Sequence, residues 1–350
     1  MAYSTIPKGS LYMNTKLYTG NGGTNAQTGV GFQPDFTWIK SRGLAYSHNL
    51  CDVVRGVTKI IKSNSSNEEE TQSTSLTAFG TDGFTLGSYE EVNENNATYA
   101  AWNWKAGGSQ GSSNTDGSIN TTYTSVNTTA GFSISRYTGT GNTATVGHGL
   151  GAIPTMLIIK RITGAGSGQP WTVYTSGVGN ESRLVLNSFA SSEGDGSFFN
   201  NTSPTSSVFT IGSSSSVNSS GDDYICYAYA DVKGYSKMGS YTGNGSADGP
   251  FVYTGFSPAF VMVKNATASG KWLMLDIKRN TYNPADKKLF ADVSNAESTG
   301  NMMDLLSNGF KWRSSDSDHN ATGDNNIFMA FAENPFVATS GSDAIPVTAR

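Results

Sequence analysis

The sequence predicts an all-β protein of three tandem homologous domains, each an antiparallel β-sandwich-like unit with long polar loops. One phrase occurs three times: YTGNG or YTGTG, a polar run, and then GFQPDFTWIK, GAIPTMLIIK or GFSPAFVMVK. Hydrophobic residues make up 36% and charged residues only 14% of the chain, yet it contains 6 Trp, 16 Tyr and 17 Phe, which disordered chains lack. No long window keeps a 3.6-residue apolar period, and only 296–309 would hold a short helical turn or two.

Tyrosine, proline and lysine keep their places in the repeated phrase. The proline precedes the lysine by six positions in every copy. In chain order these structural motif residues are Tyr18, Pro34, Lys40, Tyr137, Pro154, Lys160, Tyr241, Pro258 and Lys264. A phrase that recurs at intervals of about one domain length indicates that the same domain architecture is repeated along the chain.

Each copy continues with the same kinds of segment after its lysine. An apolar strand comes first, and in two copies it ends on an Asp/Arg pair, Asp52/Arg55 and Asp276/Arg279, whereas the middle copy lacks the pair. A polar loop, a strand centred on Phe and a final aromatic strand follow in all three copies. We therefore predict β repeat 1 at 1–108, β repeat 2 at 109–232 and β repeat 3 at 233–350.

Individual segments support this division. The alternating stretch 11–18 predicts a first strand, and 36–40 predicts a strand buried on both faces. The segment 106–130 begins with a Gly/Ser-rich linker, flexible if unpacked, whose later part would be a strand of repeat 2. The residues after Phe336 have turn chemistry and no core pattern, which predicts an extended C-terminal tail.

Charge and composition argue against several classes of partner. The net charge is −4 and no basic run occurs, so a nucleic-acid partner is not expected. No apolar run approaches the length of a membrane span, and the N-terminus has no signal-peptide pattern. We therefore expect no membrane partner and a protein made in the cytoplasm. Cys51 and Cys226 lie in apolar strands, which favours buried free thiols over a disulfide.

The residues that could carry catalysis form no recognisable pattern. His48, His148 and His319 lie one per repeat at non-equivalent positions, which favours structural or exposed histidines over catalytic ones. The Glu68–Glu70 cluster admits a metal site, but adjacent carboxylates do not converge on a strand, so an acidic surface loop is favoured. The Asp/Arg pairs would tie strand ends as ion pairs or, alternatively, recognise a ligand. We expect no enzyme and no cofactor.

A calcium loop is the one metal hypothesis. Asp316, Asp318, Asn320 and Asp324 have the spacing of an oxygen-ligand loop that turns at Gly323. The bidentate Glu that closes an EF-hand is missing, and Asp/Asn/Ser segments also form ordinary turns. Both interpretations stay open, and the turn is favoured.

The phrases of this chain resemble a repeat in structural proteins of tailed bacteriophages, especially phages of marine bacteria such as cyanophages and pelagiphages. The resemblance covers about Leu11 to Arg350. It is carried by YTGNG…GFQPDFTWIKSR, CDVVRGVTKII, LTAFGTDGFTLGS, YAAWNWKAGG, TAGFSISRYTGTG, VGHGLGAIPTMLIIK, IFMAFAENPF and IPVTAR. It implies a virion component, often a tail fibre or tail protein, and it supplies no catalytic residues.

Three functions follow as expectations from this resemblance. The first is a tail-associated fibre or adhesin that binds a host-surface glycan or protein, because Tyr, Trp and small polar residues suit adhesive loops. The second is a capsid decoration, cement or head-fibre protein, and the third is a glycan-degrading virion enzyme. The expected partners are other virion proteins of the tail or capsid. A homo-oligomer, with a trimer by family analogy, would be assembled in the host cytoplasm and exposed on the particle.

Overall fold

The computed structural model describes residues 4–164 and 167–335. This part of the chain is almost entirely β-structure, with three four-residue α-helices, so the predicted all-β class is confirmed. The C-terminal tail predicted after Phe336 lies outside the described residues.

Repeat 1 combines a four-stranded sheet, in the order β1-β9-β3-β4, with a small sheet, β2-β8-β7, and the pair β5-β6. The predicted strands at 11–18 and 36–40 are confirmed as β1 and β3, and every residue of β3 is buried. The elements are a 3₁₀ turn (Gly9–Leu11), β1 (Met13–Thr19), β2 (Asn25–Gln27), β3 (Phe36–Ser41), β4 (Asn49–Asp52), β5 (Lys59–Ile60), β6 (Glu70–Thr71), β7 (Leu76–Gly80), β8 (Gly83–Leu86), α1 (Glu90–Asn93) and β9 (Thr98–Trp104).

Repeat 2 repeats the central order as β11-β18-β13-β14 and extends the sheet with β10 at one edge and β15-β16 at the other. The pair β12-β17 forms its small sheet. The elements are β10 (Tyr123–Asn127), β11 (Phe132–Thr138), β12 (Ala144–Gly147), β13 (Met156–Thr163), β14 (Thr172–Thr175), β15 (Gly179–Leu184), β16 (Glu193–Gly194), β17 (Val208–Ile211), α2 (Ser215–Asn218) and β18 (Asp223–Tyr229).

Repeat 3 has the same central order, β19-β26-β21-β22, which continues through β23-β24-β25-β20 into one eight-stranded sheet. Strands β19 and β20 are therefore its two edges. The elements are β19 (Ser236–Thr242), β20 (Phe251–Tyr253), β21 (Phe256–Asn265), β22 (Leu273–Asp276), β23 (Ala285–Phe290), β24 (Ser298–Leu306), β25 (Gly309–Trp312), α3 (Ser317–Asn320) and β26 (Asn325–Pro335).

The helical turn predicted at 296–309 is wrong, because this segment contains β24. Leu306 pairs with Gly309 across a two-residue loop, so the segment is one arm of a hairpin with β25. The α-helices instead occur once per repeat, immediately before β9, β18 and β26. Four residues are too few to produce a helical apolar period in the sequence.

The Gly/Ser segment between the first two repeats is packed. Gly107 N donates to Ser125 Oγ at 3.0 Å, and Gln110 Nε2 donates to Val54 O at 2.7 Å. Ser112 forms a β-bridge with Thr124 of β10, which confirms the predicted strand in the later part of this segment. These contacts fix the segment to both flanking repeats.

One hydrophobic cluster runs through all three repeats. Its centre is aromatic: Phe36 stacks on Tyr227 with ring centroids 4.4 Å apart, and Trp104 meets Phe260 and Phe331 edge-on. The opposite faces of the central sheets of repeats 1 and 2 pack against their small sheets in separate clusters. Each of these two central sheets thus has one face toward the shared core and one toward its own repeat.

Candidate functional site

The tyrosine that opens the repeated phrase holds the short helix of its own repeat. In every copy its hydroxyl donates to the main-chain carbonyl of the third residue of that helix. The bonds are Tyr18 Oη to Val92 O at 2.6 Å, Tyr137 Oη to Val217 O at 2.7 Å and Tyr241 Oη to His319 O at 2.6 Å. The tyrosine therefore joins the first central strand to the turn before the last one.

The last residue of each helix is a buried asparagine that fixes the glycine-containing turn of the phrase. Asn218 Nδ2 donates to Asn142 O at 2.6 Å and Gly212 O at 2.8 Å, and its Oδ1 accepts from Thr140 N at 2.8 Å. Asn93 and Asn320 make the equivalent three bonds. The first glycine of the turn lies against the helix end, since a Cβ on Gly139 would lie 2.2 Å from Ser219 O.

Replacing Asn218 with alanine is expected to lower the free energy of unfolding by about 2–4 kcal/mol, because three backbone groups, one of them buried, lose their hydrogen-bond partner. Denaturant titration measures the change. Asn142→Ala is the matched control: its side chain is exposed and only its carbonyl takes part, so a change within about 0.5 kcal/mol is expected. Equal effects of the two substitutions would contradict the role of the buried amide.

The proline of the phrase is buried at the start of each central strand. In repeats 1 and 2 the next residue donates its N–H to the end of the aromatic strand, from Asp35 to Trp104 at 2.9 Å and from Thr155 to Tyr229 at 2.8 Å. Pro258 lies within β21, at a shift in its register with β26. The proline thus marks the start of central pairing in repeats 1 and 2 and a break in its register in repeat 3.

The lysine of the phrase is fully buried in each repeat, with its ammonium group on main-chain carbonyls. Lys160 Nζ donates to Ser66 O of repeat 1 at 2.7 Å, and Lys264 Nζ donates to Phe189 O of repeat 2 at 3.1 Å. Lys40 Nζ stays within repeat 1, on Ser41 O and Leu44 O. Burial lowers the pKa of Lys40 and Lys264 to about 8 and that of Lys160 to about 7.

The carbonyl two residues after each lysine joins its repeat to the preceding one. It accepts a hydrogen bond from a main-chain N–H of that neighbour. The three bonds are Glu69 N to Ile162 O at 3.1 Å, Ser192 N to Ala266 O at 3.0 Å and Glu297 N to Arg42 O at 2.7 Å. They run from repeat 1 to 2, from 2 to 3 and from 3 back to 1, so the repeats close a pseudo-threefold ring.

A ring N–H strengthens each of these seams. It belongs to the residue just before β4, β14 or β22 and donates to a carbonyl of the preceding repeat. The bonds are His48 Nε2 to Phe290 O at 2.9 Å, Trp171 Nε1 to Lys62 O at 3.0 Å and Trp272 Nε1 to Val185 O at 2.9 Å. His48 therefore occupies a tryptophan position of the repeat and has a structural role.

The Asp/Arg pairs are buried ion pairs within two of the seams. Each Arg Nε lies 2.6 Å from the Asp Oδ2, and all four side chains are inaccessible. The same carboxylate oxygen accepts from the neighbouring repeat: Tyr227 Oη donates to Asp52 at 2.7 Å and Trp102 Nε1 donates to Asp276 at 3.0 Å. This confirms the ion-pair interpretation and leaves no exposed surface for a ligand.

The seam between repeats 2 and 3 has none of the three members of this arrangement. Register places Thr175 at the position of Asp52 and Asp276, and Val178 stands where the arginines stand. The seam partner, at the position of Trp102 and Tyr227, is Met329, which has no donor. A buried charge without partners is costly, so concerted replacement by uncharged residues is the physically expected route.

Comparison with known protein families identifies the family of this chain. Residues 8–335 match the family described as "Domain of unknown function (DUF7483)". The chain belongs to this family. The DUF7483 match spans all three repeats, so the family unit corresponds to the closed ring and not to one repeat. None of the curated proteins matches the chain.

Glu68, Glu69 and Glu70 of this DUF7483 protein face different cations. Arg161 Nη2 of repeat 2 lies 2.7 Å from Glu68 Oε1, Arg55 Nη1 lies 3.5 Å from Glu69 Oε2, and Lys62 Nζ lies 3.4 Å from Glu70 Oε2. All three side chains keep some solvent exposure, which matches the predicted acidic surface loop, but each carboxylate also has a cationic partner. Of the three, Glu68 contacts repeat 2 across the seam.

The segment of the calcium hypothesis forms α3 and the turn after it. Asp316 is the N-cap and accepts from Asp318 N at 2.8 Å, and Asp324 Oδ2 accepts from Asn265 Nδ2 at 2.7 Å. Asn320 Oδ1 accepts a hydrogen bond from Asn244 N in the glycine-containing turn of its own repeat. Within 4–164 and 167–335 no cluster of three or more His, Cys, Asp or Glu could hold a metal ion. These contacts match the turn interpretation.

The remaining histidines and both cysteines are buried. His148 Nδ1 accepts from Leu150 N at 3.1 Å, and His319 stacks on Trp312. Cys51 and Cys226 are free thiols, as predicted, and burial raises the pKa of Cys51 to about 12. In the part of the DUF7483 chain that the structure covers, no helix is long and apolar enough to cross a membrane.

The exposed aromatic residues are not members of the repeated motif, although Phe189 O accepts a hydrogen bond from the motif lysine Lys264. All six tryptophans are buried, so the aromatic content mainly forms core and not adhesive surface. Large exposed aromatic residues are Phe189, Phe251, Tyr253 and Tyr282, all in repeats 2 and 3. Phe251 and Tyr253 border a groove of 250 Å³ between the edge strands β19 and β20. The sequence analysis places these two residues in a polar run, although three successive aromatic and β-branched residues, FVY, favour a strand.

Proposed function

We propose that this DUF7483 protein is a bacteriophage virion structural protein, a tail-associated fibre or adhesin that binds the host surface. The observation that carries the proposal is that the repeated motif residues and the exposed aromatic residues occupy different positions in the fold. The motif tyrosines, prolines and lysines are buried and build one ring, whereas the exposed aromatic residues occupy unrepeated positions. A rigid scaffold with variable exposed aromatic groups suits recognition.

The proposal includes three homologous sandwich-like units within the ring. Its support is the central strand order common to all three repeats and the separate small sheet beside the central sheet in repeats 1 and 2. Since every seam surface is already used inside one chain, a homotrimer would have to form through other faces. Calcium in the α3 segment stays a prediction.

A capsid decoration or head-fibre role is the second candidate. One observation favours it: the same main-chain hydrogen bond is present at all three seams, so a single chain presents a pseudo-threefold body. Such a body would match a threefold position on a capsid lattice, with the major capsid protein as partner.

Localisation on intact particles tests both candidates. Antibody against this chain, or cryo-electron microscopy of the phage that encodes it, is expected to place it on the tail. Labelling spread over the capsid lattice would replace the adhesin with decoration, with a copy number set by the lattice. A chain that is missing from purified particles would contradict both virion roles.

A further inference from the structure

The groove of repeat 3 lies between the two edges of its eight-stranded sheet. The outward-facing residues of β20, Phe251 and Tyr253, are 45% and 49% exposed, while Val252 between them is buried in the core. Gly239 of β19 and the ring of Phe328 lie on the other side. A Cβ on Gly239 would lie 3.0 Å from that ring, so glycine keeps the groove open.

The other repeats show that the scaffold does not require this surface. Cross-strand register places Thr145 and Gly147 of repeat 2 at the positions of Phe251 and Tyr253. Ser135 and Cys226 stand at the positions of Gly239 and Phe328. Repeat 2 therefore has neither the two aromatic residues nor the glycine at these positions, so closure of the three-repeat ring does not require them.

We propose that this groove binds a pyranose ring of a surface glycan; this inference rests on the adhesin function proposed above. A pyranose ring has an apolar face of C–H groups that can lie on an aromatic ring, and a rim of hydroxyls that needs polar partners. Phe251 and Tyr253 supply the aromatic rings, about 6.6–6.8 Å apart along the strand. The Lys237 ammonium lies over the Tyr253 ring, 5.6 Å from its centroid, so one face of that ring already has a cationic partner. The Lys237 ammonium supplies a polar group at the groove.

The dimensions and contacts of the groove favour a sugar over a peptide strand. A volume of 250 Å³ is below that of pockets for drug-sized ligands, so it suits a single ring. A peptide would have to add to the edge of β19 or β20. Lys237 Nζ already crosses from β19 to donate to Tyr253 O at 2.8 Å, which closes the gap against an added strand.

Ligand-observed saturation-transfer NMR on the full chain tests the groove directly. The probes are methyl glycosides of glucose, galactose, mannose and glucuronic acid, and at least one is expected to receive saturation. Phe251→Ala and Tyr253→Ala are each expected to weaken that binding at least about tenfold. Tyr282→Ala is the matched control, because its side chain is 84% exposed and lies outside the groove. A melting curve checks that each variant folds.

Binding of the labelled chain to host cells separates the two proposals. If the wild type labels cells and both groove variants lose labelling, both proposals are supported. If the groove variants label cells as well as wild type does, the groove assignment is overturned and the adhesin stands. If the wild type labels no cells, the adhesin fails, and the NMR result decides the groove separately. Saturation of no probe by a folded wild type overturns the pyranose site.

Discussion

Replacing Asp52 with alanine is expected to lower the free energy of unfolding by about 3–5 kcal/mol, because it leaves the Arg55 guanidinium buried without its charge partner. The same carboxylate also accepts from Tyr227 of repeat 2 and from Arg55 N at 2.8 Å. One substitution therefore removes an ion pair, a turn contact and a seam contact. Denaturant titration of the full chain measures the loss.

The middle repeat supplies the matched control. Thr175 occupies the position of Asp52, and its hydroxyl accepts only a long bond from Gly177 N at 3.4 Å. Thr175→Val is expected to change the free energy of unfolding by about 1 kcal/mol or less. Tyr227→Phe should cost about 1.5–3 kcal/mol, as expected for a hydrogen bond to a charged group. If Asp52→Ala costs no more than Thr175→Val, the buried pair does not stabilise the seam.

The sequence predicts those parts of this fold that depend on local pattern. Alternation of apolar and polar residues predicts β1 and β10, and the apolar run predicts the doubly buried β3. The Tyr, Pro and Lys spacing identifies the repeat without showing what each residue contacts. For example, the spacing does not show that Lys160 Nζ donates to Ser66 O of another repeat, 94 positions away in the sequence.

Seams and surfaces are harder to predict because they depend on distant pairing. The absence of Asp and Arg from repeat 2 is visible in the sequence, but the seam position opposite them, Met329, is in the neighbouring repeat and is identified only by strand register. Likewise, His48 is the counterpart of two tryptophans only once β4, β14 and β22 are aligned. Aligning the repeats by strand register also identifies Phe251 and Tyr253 as residues that the scaffold does not need.

Acidification is expected to destabilise the ring through His48. Trp38 Nε1 donates to His48 Nδ1 at 2.8 Å, and an indole can only donate, so Nδ1 must accept and Nε2 carries the proton given to Phe290 O. The hydrogen bonds at the seam between repeats 1 and 3 therefore require the neutral imidazole with its proton on Nε2. Burial, followed by the nearby charge of Lys40, lowers the pKa of His48 to about 3, and Arg279 acts in the same direction.

The lowered pKa of His48 determines the direction of the effect of pH on stability and the pH range in which it occurs. The unfolded chain binds a proton at His48 below about pH 6.5, whereas the folded chain stays neutral there until about pH 3. The contribution of His48 is thus complete at pH 7 and falls as the pH falls, by roughly 1.5–2 kcal/mol between pH 6.5 and 5. His48→Gln, whose amide does not titrate, should be less stable at pH 7 but lose stability less steeply on acidification. Equal slopes for wild type and variant in denaturant titrations at pH 6.5, 6.0, 5.5 and 5.0 would assign the acid sensitivity to other groups.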